Sequence, residues 1–179
     1  MMVKRFVGPL IAGIISLHAA PAAADVTLRL EPGVASDRDW AEIKDYFVKE
    51  APIAIQEIMD GKIKWLNENR PVGFEDALVI FRREILYSGY FDLNEDGRPE
   101  LFVLVGYFGW CGTAGCITDI FEKRNGMWRK LTSTSGYEIK SWAEVEIKDD
   151  RSRYYPYTHQ DYPRLKRKYG KNRPRKKRK

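Results

Sequence analysis

The spacing of apolar residues changes period near Glu84, and this change limits the fold more than any other feature of the sequence. Before it, Trp40, Ile43 and Phe47 recur at the three- and four-residue intervals that place side chains on one face of a helix. After it, β-branched and aromatic residues alternate or form short continuous runs, which is typical of strands. This order indicates an α+β fold, with N-terminal helices packed on an antiparallel β-meander.

Capping and turn residues predict where these elements begin and end. Ser36 or Asp37 is a suitable N-cap for the first helix, and Pro52 ends that helix and can open a second one. A third helix is predicted over residues 74–85, and Asn125-Gly126 predicts a tight hairpin turn. Strands are predicted around residues 86–91, at residues 101–107, 117–123 and 127–132, and once or twice within residues 137–147.

The N-terminus has the three parts of a secretory signal peptide in their usual order. Lys4 and Arg5 are followed by twelve uncharged, mostly apolar residues, and an A-x-A cleavage site ends at Ala24. A membrane anchor is the alternative, but a bilayer-spanning helix needs roughly 20 apolar residues. We therefore expect a signal peptide at residues 1–24, no transmembrane segment, and a periplasmic or secreted protein.

The net charge of +6 conceals two regions of opposite sign. Residues 166–179 contain ten Lys or Arg and no acid, and Lys4 and Arg5 add two more positive charges, so residues 25–165 carry a net charge of −6. We expect a single domain over residues 25–165 and a disordered basic tail over residues 166–179. Outside the cytoplasm the tail suits an anionic surface or is simply solvated. Nucleic acid is not an expected partner, and the oligomeric state is left open.

Residues 92–100, D-L-N-E-D-G-R-P-E, have the composition of a calcium loop. Calcium takes six to eight oxygen ligands, and alternating acidic positions allow one short loop to supply several of them. The predicted side-chain ligands are Asp92, Asn94, Asp96 and Glu100, and the carbonyl oxygen of Arg98 is a further one. The alternative is a metal-free hairpin, because Asp and Asn followed by Gly also form a stable turn.

The loop differs from an EF-hand, because Val103 occupies the twelfth position, where that motif has a bidentate Glu. It resembles the nine-residue D-x-[DN]-x-D-G-x-x-[DE] calcium loops that join paired strands in integrin-type and related propeller repeats. In those families the loop recurs in every blade, whereas it occurs once here. The resemblance therefore implies a structural calcium site and not a propeller.

The two cysteines, Cys111 and Cys116, are expected to form a disulfide, because paired cysteines in an exported protein are usually oxidised. A redox-active pair would favour two intervening residues rather than four. A zinc site would need more nitrogen and sulfur ligands than the single histidine after the signal, His159, can add.

The order of these motifs resembles a loose group of small exported bacterial proteins. The shared features are D-x-N-x-D-G-x-P-E, an apolar strand, C-G-x-x-G-C, and an N-G hairpin that ends in Trp, which together cover residues 87–131. This resemblance implies the fold and the compartment. No general activity is attached to the group, so the resemblance implies none.

The sequence favours a binding role over catalysis. It has no G-x-S-x-G, H-E-x-x-H or phosphate-loop motif, and His159 is expected to be a solvated surface residue outside the core. The leading hypothesis is an exported, non-catalytic binding module of the bacterial envelope with a protein or glycan partner. The alternative is a hydrolase that uses carboxylates, which requires two facing acids in a cleft and a raised pKa.

Two segments are candidate partner contacts. Tyr107, Phe108 and Trp110 lie beside the cysteine loop, where exposed aromatic residues would suit recognition, and core packing is their alternative role. Residues 135–137, Ser-Gly-Tyr, resemble the Ser-Gly-Tyr loops of periplasmic lysozyme inhibitors, which implies an inhibitor as one form of the binding role.

Overall fold

The computed structural model describes residues 25–34, 36–66, 70–107, 111–113, 115–134, 139–141 and 144–170. The predicted signal peptide, Phe108, Trp110, residues 135–137 and the tail after Gly170 lie outside the described residues. Within the described part of the chain, none of the helices combines the length and apolarity that a bilayer crossing requires.

Three helices precede the meander of the main sheet, as the sequence predicts. Ser36 caps α1, because its Oγ accepts the amide hydrogen of Asp39 at 3.0 Å, and Pro52 occupies the first turn of α2. The third predicted helix starts as α3 and widens into a π-helical turn at Phe81–Ile85. The helix bounds are Asp37–Glu50 (α1), Pro52–Met59 (α2) and Phe74–Ile80 (α3).

Five antiparallel strands form the main sheet, in the order β2-β3-β4-β7-β8. The last four follow one another as the predicted meander. Asn125 and Gly126 both have positive φ values, 50° and 80°, which the hairpin between β7 and β8 requires. The bounds are Glu31–Pro32 (β2), Leu86–Phe91 (β3), Glu100–Val105 (β4), Thr118–Arg124 (β7) and Met127–Thr134 (β8).

Both faces of this sheet are covered, which explains the continuous apolar run in β4. Leu101, Val103 and Val105 face the helices α1–α3, whereas Phe102 and Leu104 belong to a second core on the opposite face. A strand that is buried on both sides needs apolar residues at every position rather than at alternate ones. The two cores therefore divide the protein into a helix-side layer and an opposite layer.

The opposite layer contains a smaller sheet and the C-terminal segment. β1 pairs with β10, and β10 pairs with β9, so the N-terminal strand meets strands more than a hundred residues away. A 3₁₀ turn at Arg151–Tyr154 and a fourth helix follow. The remaining bounds are Val26–Arg29 (β1), Cys111–Gly112 (β5), Gly115–Cys116 (β6), Ile139–Ser141 (β9), Glu144–Ile147 (β10) and Tyr162–Tyr169 (α4).

The prediction that the basic tail is disordered from residue 166 onward is wrong for its first residues. Lys166 and the three residues after it belong to α4, whose Leu165 is buried in the second core. Pro163 favours the first turn of this helix, and contacts from the helix to the loop at residues 92–100 hold its far end. The body with described structure therefore extends at least to Gly170.

Candidate functional site

Within the 92–100 loop, the side chains of Asp92, Asn94 and Asp96 turn inward onto the loop's own amides. Asp92 accepts the amide hydrogens of Asp96 and Gly97 through separate oxygens, at 3.1 and 2.8 Å. Asn94 Oδ1 accepts from Asp96 N at 2.9 Å, and Asp96 Oδ1 accepts from Arg98 N at 2.8 Å. Three of the predicted calcium ligands therefore meet in one turn.

Glu100 lies beneath the loop, at the start of β4, and is only 2% exposed. One of its oxygens accepts the amide hydrogen of Leu93 at 2.8 Å, and the other accepts the hydroxyl hydrogen of Tyr155 at 2.9 Å. Burial raises the pKa of Glu100 to about 7, although these two hydrogen bonds oppose the shift. The fourth predicted ligand is thus held on the sheet side of the loop.

The donor chemistry of the loop fits calcium, although the side chains are not gathered around one point. Among the described residues, no three His, Cys, Asp or Glu side chains converge closely enough to hold a metal ion. The loop carboxylates accept amide hydrogens, yet each carboxylate has about four lone-pair positions, so some are left for a cation. The calcium site therefore stays a prediction.

The outer side of the loop contacts the C-terminal helix, which the sequence did not indicate. Glu95, at the tip of the loop, has a φ of 57°, an uncommon value for a residue other than glycine. The partners of its carboxylate are Arg151, Lys168 and Tyr169. Arg164 also donates to the backbone oxygen of Asn94 at 2.6 Å. The loop and α4 therefore hold each other in place.

The predicted disulfide between Cys111 and Cys116 is present, and its two residues pair directly across the short strands β5 and β6. Tyr107, just before the bridge, is 9% exposed and packs in the helix-side core. Its predicted role as a partner contact is therefore wrong, and core packing is its role. Phe108 and Trp110 lie outside the described residues.

A largely apolar cavity lies between the ends of the two hairpins, on the helix side of the sheet. Tyr90 of β3 and Trp128 of β8 lie 6.3 Å apart, with their ring planes at 35° to each other. Their polar atoms both donate to Asp39 of α1, the Tyr90 hydroxyl and the Trp128 Nε1 each at 2.5 Å. We call this cavity of about 530 Å³ the aromatic groove; its lining includes Tyr90, Trp128, Arg98, Pro99, Lys123 and Asn125.

Asp39 is the electrostatic centre beneath the aromatic groove. Burial raises the pKa of its carboxyl group, but hydrogen bonds from Trp128, Tyr90 and Ser36, with the charge of Lys123, outweigh burial and lower the pKa below its ordinary value. Lys123 Nζ lies 3.7 Å from an oxygen of Asp39 and 4.8 Å from the centre of the Trp128 ring. Both rings are therefore fixed by an ionised acid.

On the opposite layer, His159 is buried, so the prediction of a solvated histidine is wrong. It is 6% exposed, and its Nδ1 accepts the amide hydrogen of Asp161 at 3.1 Å. The Nε2 atom of the neutral ring therefore donates to Glu122, 2.7 Å away, and Tyr155 packs edge-on against the ring at 4.6 Å. Both ring nitrogens already have partners, which leaves neither to act on a substrate in this arrangement.

The sequence indicated Arg98 as a candidate ligand but did not indicate Tyr90, Trp128 or Asp39 as residues of a site. Tyr90 fitted the alternation of a strand, Trp128 fitted the end of a hairpin, and Asp39 fitted the acidic first turn of a helix. The Asn125-Gly126 turn and the 92–100 loop both lie at this end of the sheet, and they were the only signal for it. No protein-family model, curated protein or solved structure matches the chain.

Proposed function

We propose that the protein is an exported, non-catalytic binding module of the bacterial envelope that holds a sugar ring of a glycan in the aromatic groove. The observation that carries this proposal is the pair of rings fixed by Asp39. Export itself rests on the signal sequence, and the disulfide is compatible with an oxidising compartment.

The groove has the properties of a preformed ligand site. Its volume of about 530 Å³ lies in the range of small-molecule pockets, and most of its lining is apolar. Tyr90, which is 37% exposed, supplies a flat surface beside the largely buried Trp128, and Arg98, Lys123 and Asn125 add polar groups around them. A sugar ring has an apolar face for stacking and hydroxyl groups for polar partners, so it matches this combination.

Calcium would serve this function structurally. Gly97, Arg98 and Pro99 belong to the predicted calcium loop and also line the groove. A cation held by Asp92, Asn94 and Asp96 would fix that wall in place. We propose this role for calcium as a stabiliser of the site, with no part in any reaction.

One observation supports the alternative function, a carboxylate-dependent hydrolase: the pKa of Glu100 is raised. Glu100 is not among the residues that line the aromatic groove, and both of its oxygens have hydrogen-bond donors. A general acid must reach its substrate. The binding module is therefore the function that the geometry supports better.

Titration of the full chain with a soluble tetramer of N-acetylglucosamine, followed by tryptophan fluorescence and calorimetry, tests the proposal. Loss of the ring stack in Tyr90→Ala should weaken binding by about tenfold. Tyr90→Phe keeps the ring and should weaken binding much less. The control is Trp65→Ala, which removes an exposed aromatic ring outside the groove.

The binding measurements either support or overturn the groove as the glycan site. Binding that is weakened by Tyr90→Ala and unchanged by Trp65→Ala supports the groove as the glycan site. No binding of the tetramer by the unaltered protein, or equal binding by Tyr90→Ala, would overturn it. A folded state confirmed by thermal melting is required of every variant.

A further inference from the structure

A short segment of the opposite layer forms a ridge between two polar cavities. Tyr155 and Tyr157 line a cavity of about 330 Å³, whereas Pro156 and Thr158 line another of about 300 Å³. Alternate residues of this segment therefore line different cavities. We call residues 155–158, with the two cavities, the tyrosine ridge.

Both cavities of the tyrosine ridge contain cations together with one carboxylate. The charged residues of the first are Asp150, Arg153 and Lys166, and those of the second include Glu122, Arg124 and Arg129. Strand alternation explains the second set, because Glu122 and Arg124 are two residues apart in β7 and Arg129 pairs across from Glu122 in β8. Each side of the ridge therefore has an excess of positive charge.

Tyr157 stands at the crest of the ridge with 81% of its surface exposed. Its ring lies edge-to-face against Tyr162, with centroids 4.7 Å apart. The turn beneath it is held by a hydrogen bond from His159 N to Pro156 O, 2.8 Å long, and by the buried His159 ring. An exposed aromatic ring on a fixed turn is a suitable contact for a ligand.

We infer that the tyrosine ridge binds an acidic polysaccharide, with one part of the polymer in each cavity and a ring over Tyr157. This surface lies on the opposite layer from the aromatic groove and does not depend on it. The guanidinium group of Arg129 suits the carboxylates or sulfates of such a polymer. Arg124 already pairs with Glu122, whose other oxygen binds His159, so these two residues shape the second cavity.

The mixture of charges favours a polysaccharide over nucleic acid. A nucleic acid has a phosphate in every unit, so a carboxylate in each cavity would repel it. Binding of single strands also relies on several stacking platforms, whereas Tyr154 and Tyr155 are buried here. A polymer with fewer acids and many hydroxyl groups avoids both objections.

Binding of a fluorescent galacturonate hexamer in which every second carboxylate is methyl-esterified tests the inference, with the full chain at low salt. The fully methyl-esterified hexamer has the same rings without charge, and a thymidine oligonucleotide represents nucleic acid. We expect Tyr157→Ala and Arg129→Glu each to weaken hexamer binding by about fivefold or more. The matched controls are Lys64→Glu and Trp65→Ala, at exposed positions outside the ridge, and Tyr90→Ala for the aromatic groove.

The outcomes separate this inference from the proposed function. The ridge is supported if the acidic hexamer binds more tightly than either comparison ligand. This preference should be lost in Tyr157→Ala and kept in Tyr90→Ala. Equal binding of the ester, tighter binding of the oligonucleotide, or no effect of Tyr157→Ala would overturn it. If the protein does not bind the N-acetylglucosamine tetramer, only the proposal for the aromatic groove is overturned.

Discussion

Asp39→Ala should destabilise the protein more than an ordinary substitution in the first turn of a helix. The carboxylate accepts hydrogen bonds from Trp128 and Tyr90, both 2.5 Å long, and from Ser36 at 2.7 Å. Removing it leaves the buried Trp128 Nε1 hydrogen without an acceptor. The hydroxyl groups of Tyr90 and Ser36 are partly exposed and can turn to water.

The burial of each donor determines how much unfolding free energy Asp39→Ala is expected to cost. An unsatisfied buried donor to a charged group costs about 2–3 kcal/mol, and the two partly exposed donors together add about 1–2 kcal/mol. The free energy of unfolding should therefore fall by about 4 kcal/mol, which for a chain of this size lowers the melting temperature by about 10 °C. Asp39→Asn keeps one acceptor and should cost about half as much.

Urea unfolding at pH 7, followed by tryptophan fluorescence, measures these losses directly. Asp45→Ala is the control, because it removes an exposed acid from the same helix. The pKa of Asp39 lies below its ordinary value of 3.8, so its stabilisation is present above that value and is lost as the pH falls through the native pKa. The difference between the protein and Asp39→Ala should therefore shrink in strong acid.

The reasoning fails if Asp39→Ala costs no more than Asp45→Ala. It also fails if the loss is the same at pH 7 and in strong acid, because the charge on Asp39 would then have no part in holding the rings. A double-mutant cycle with Tyr90→Phe should give a coupling of about 1 kcal/mol.

Three further predictions concern other parts of the fold. With chelator present, the raised pKa of Glu100 means that the free energy of unfolding falls as the pH rises from 4.5 to about 7. Glu100→Gln should remove this fall, which is worth about 3 kcal/mol. The same dependence of unfolding free energy on pH in the unaltered protein and in Glu100→Gln would contradict the prediction. Saturating calcium should raise the melting temperature by about 5 °C or more, and Asp92→Ala should abolish the shift; equal melting with calcium and with chelator would exclude the calcium loop. Replacing Cys111 and Cys116 together by Ser should cost about 2 kcal/mol of unfolding free energy in equilibrium denaturation, and a loss close to zero would show that the short ring restrains nothing.

The elements set by local chemistry could be predicted from the sequence. Ser36 and Pro52 mark helix ends because caps and proline act within one turn. Asn125-Gly126 marks the hairpin because both residues tolerate positive φ. The continuous apolar run of residues 101–107 indicated a strand. The disulfide followed from having two cysteines and an expected oxidising compartment.

Contacts between distant segments could not be predicted in this way. The pairing of β1 with β10 joins residues more than a hundred positions apart, and no local pattern specifies it. The aromatic groove depends on Asp39, Tyr90 and Trp128, which belong to three separate elements. His159 was expected at the surface because it lies in a Tyr- and Pro-rich segment after the last predicted strand, but Glu122 and the amide of Asp161 satisfy both of its nitrogens inside the fold.

The contact between Glu95 and α4 has a consequence for shortening the chain. The charge of the sequence turns strongly positive at Lys166, which invites a cut just before it. Such a cut would remove Lys168 and Tyr169, two of the three partners of Glu95, and leave that residue in an unfavourable backbone conformation. A truncation after Gly170 keeps the contact and removes only the residues beyond α4. Comparing the two lengths would separate the effect of lost charge from the effect of lost structure.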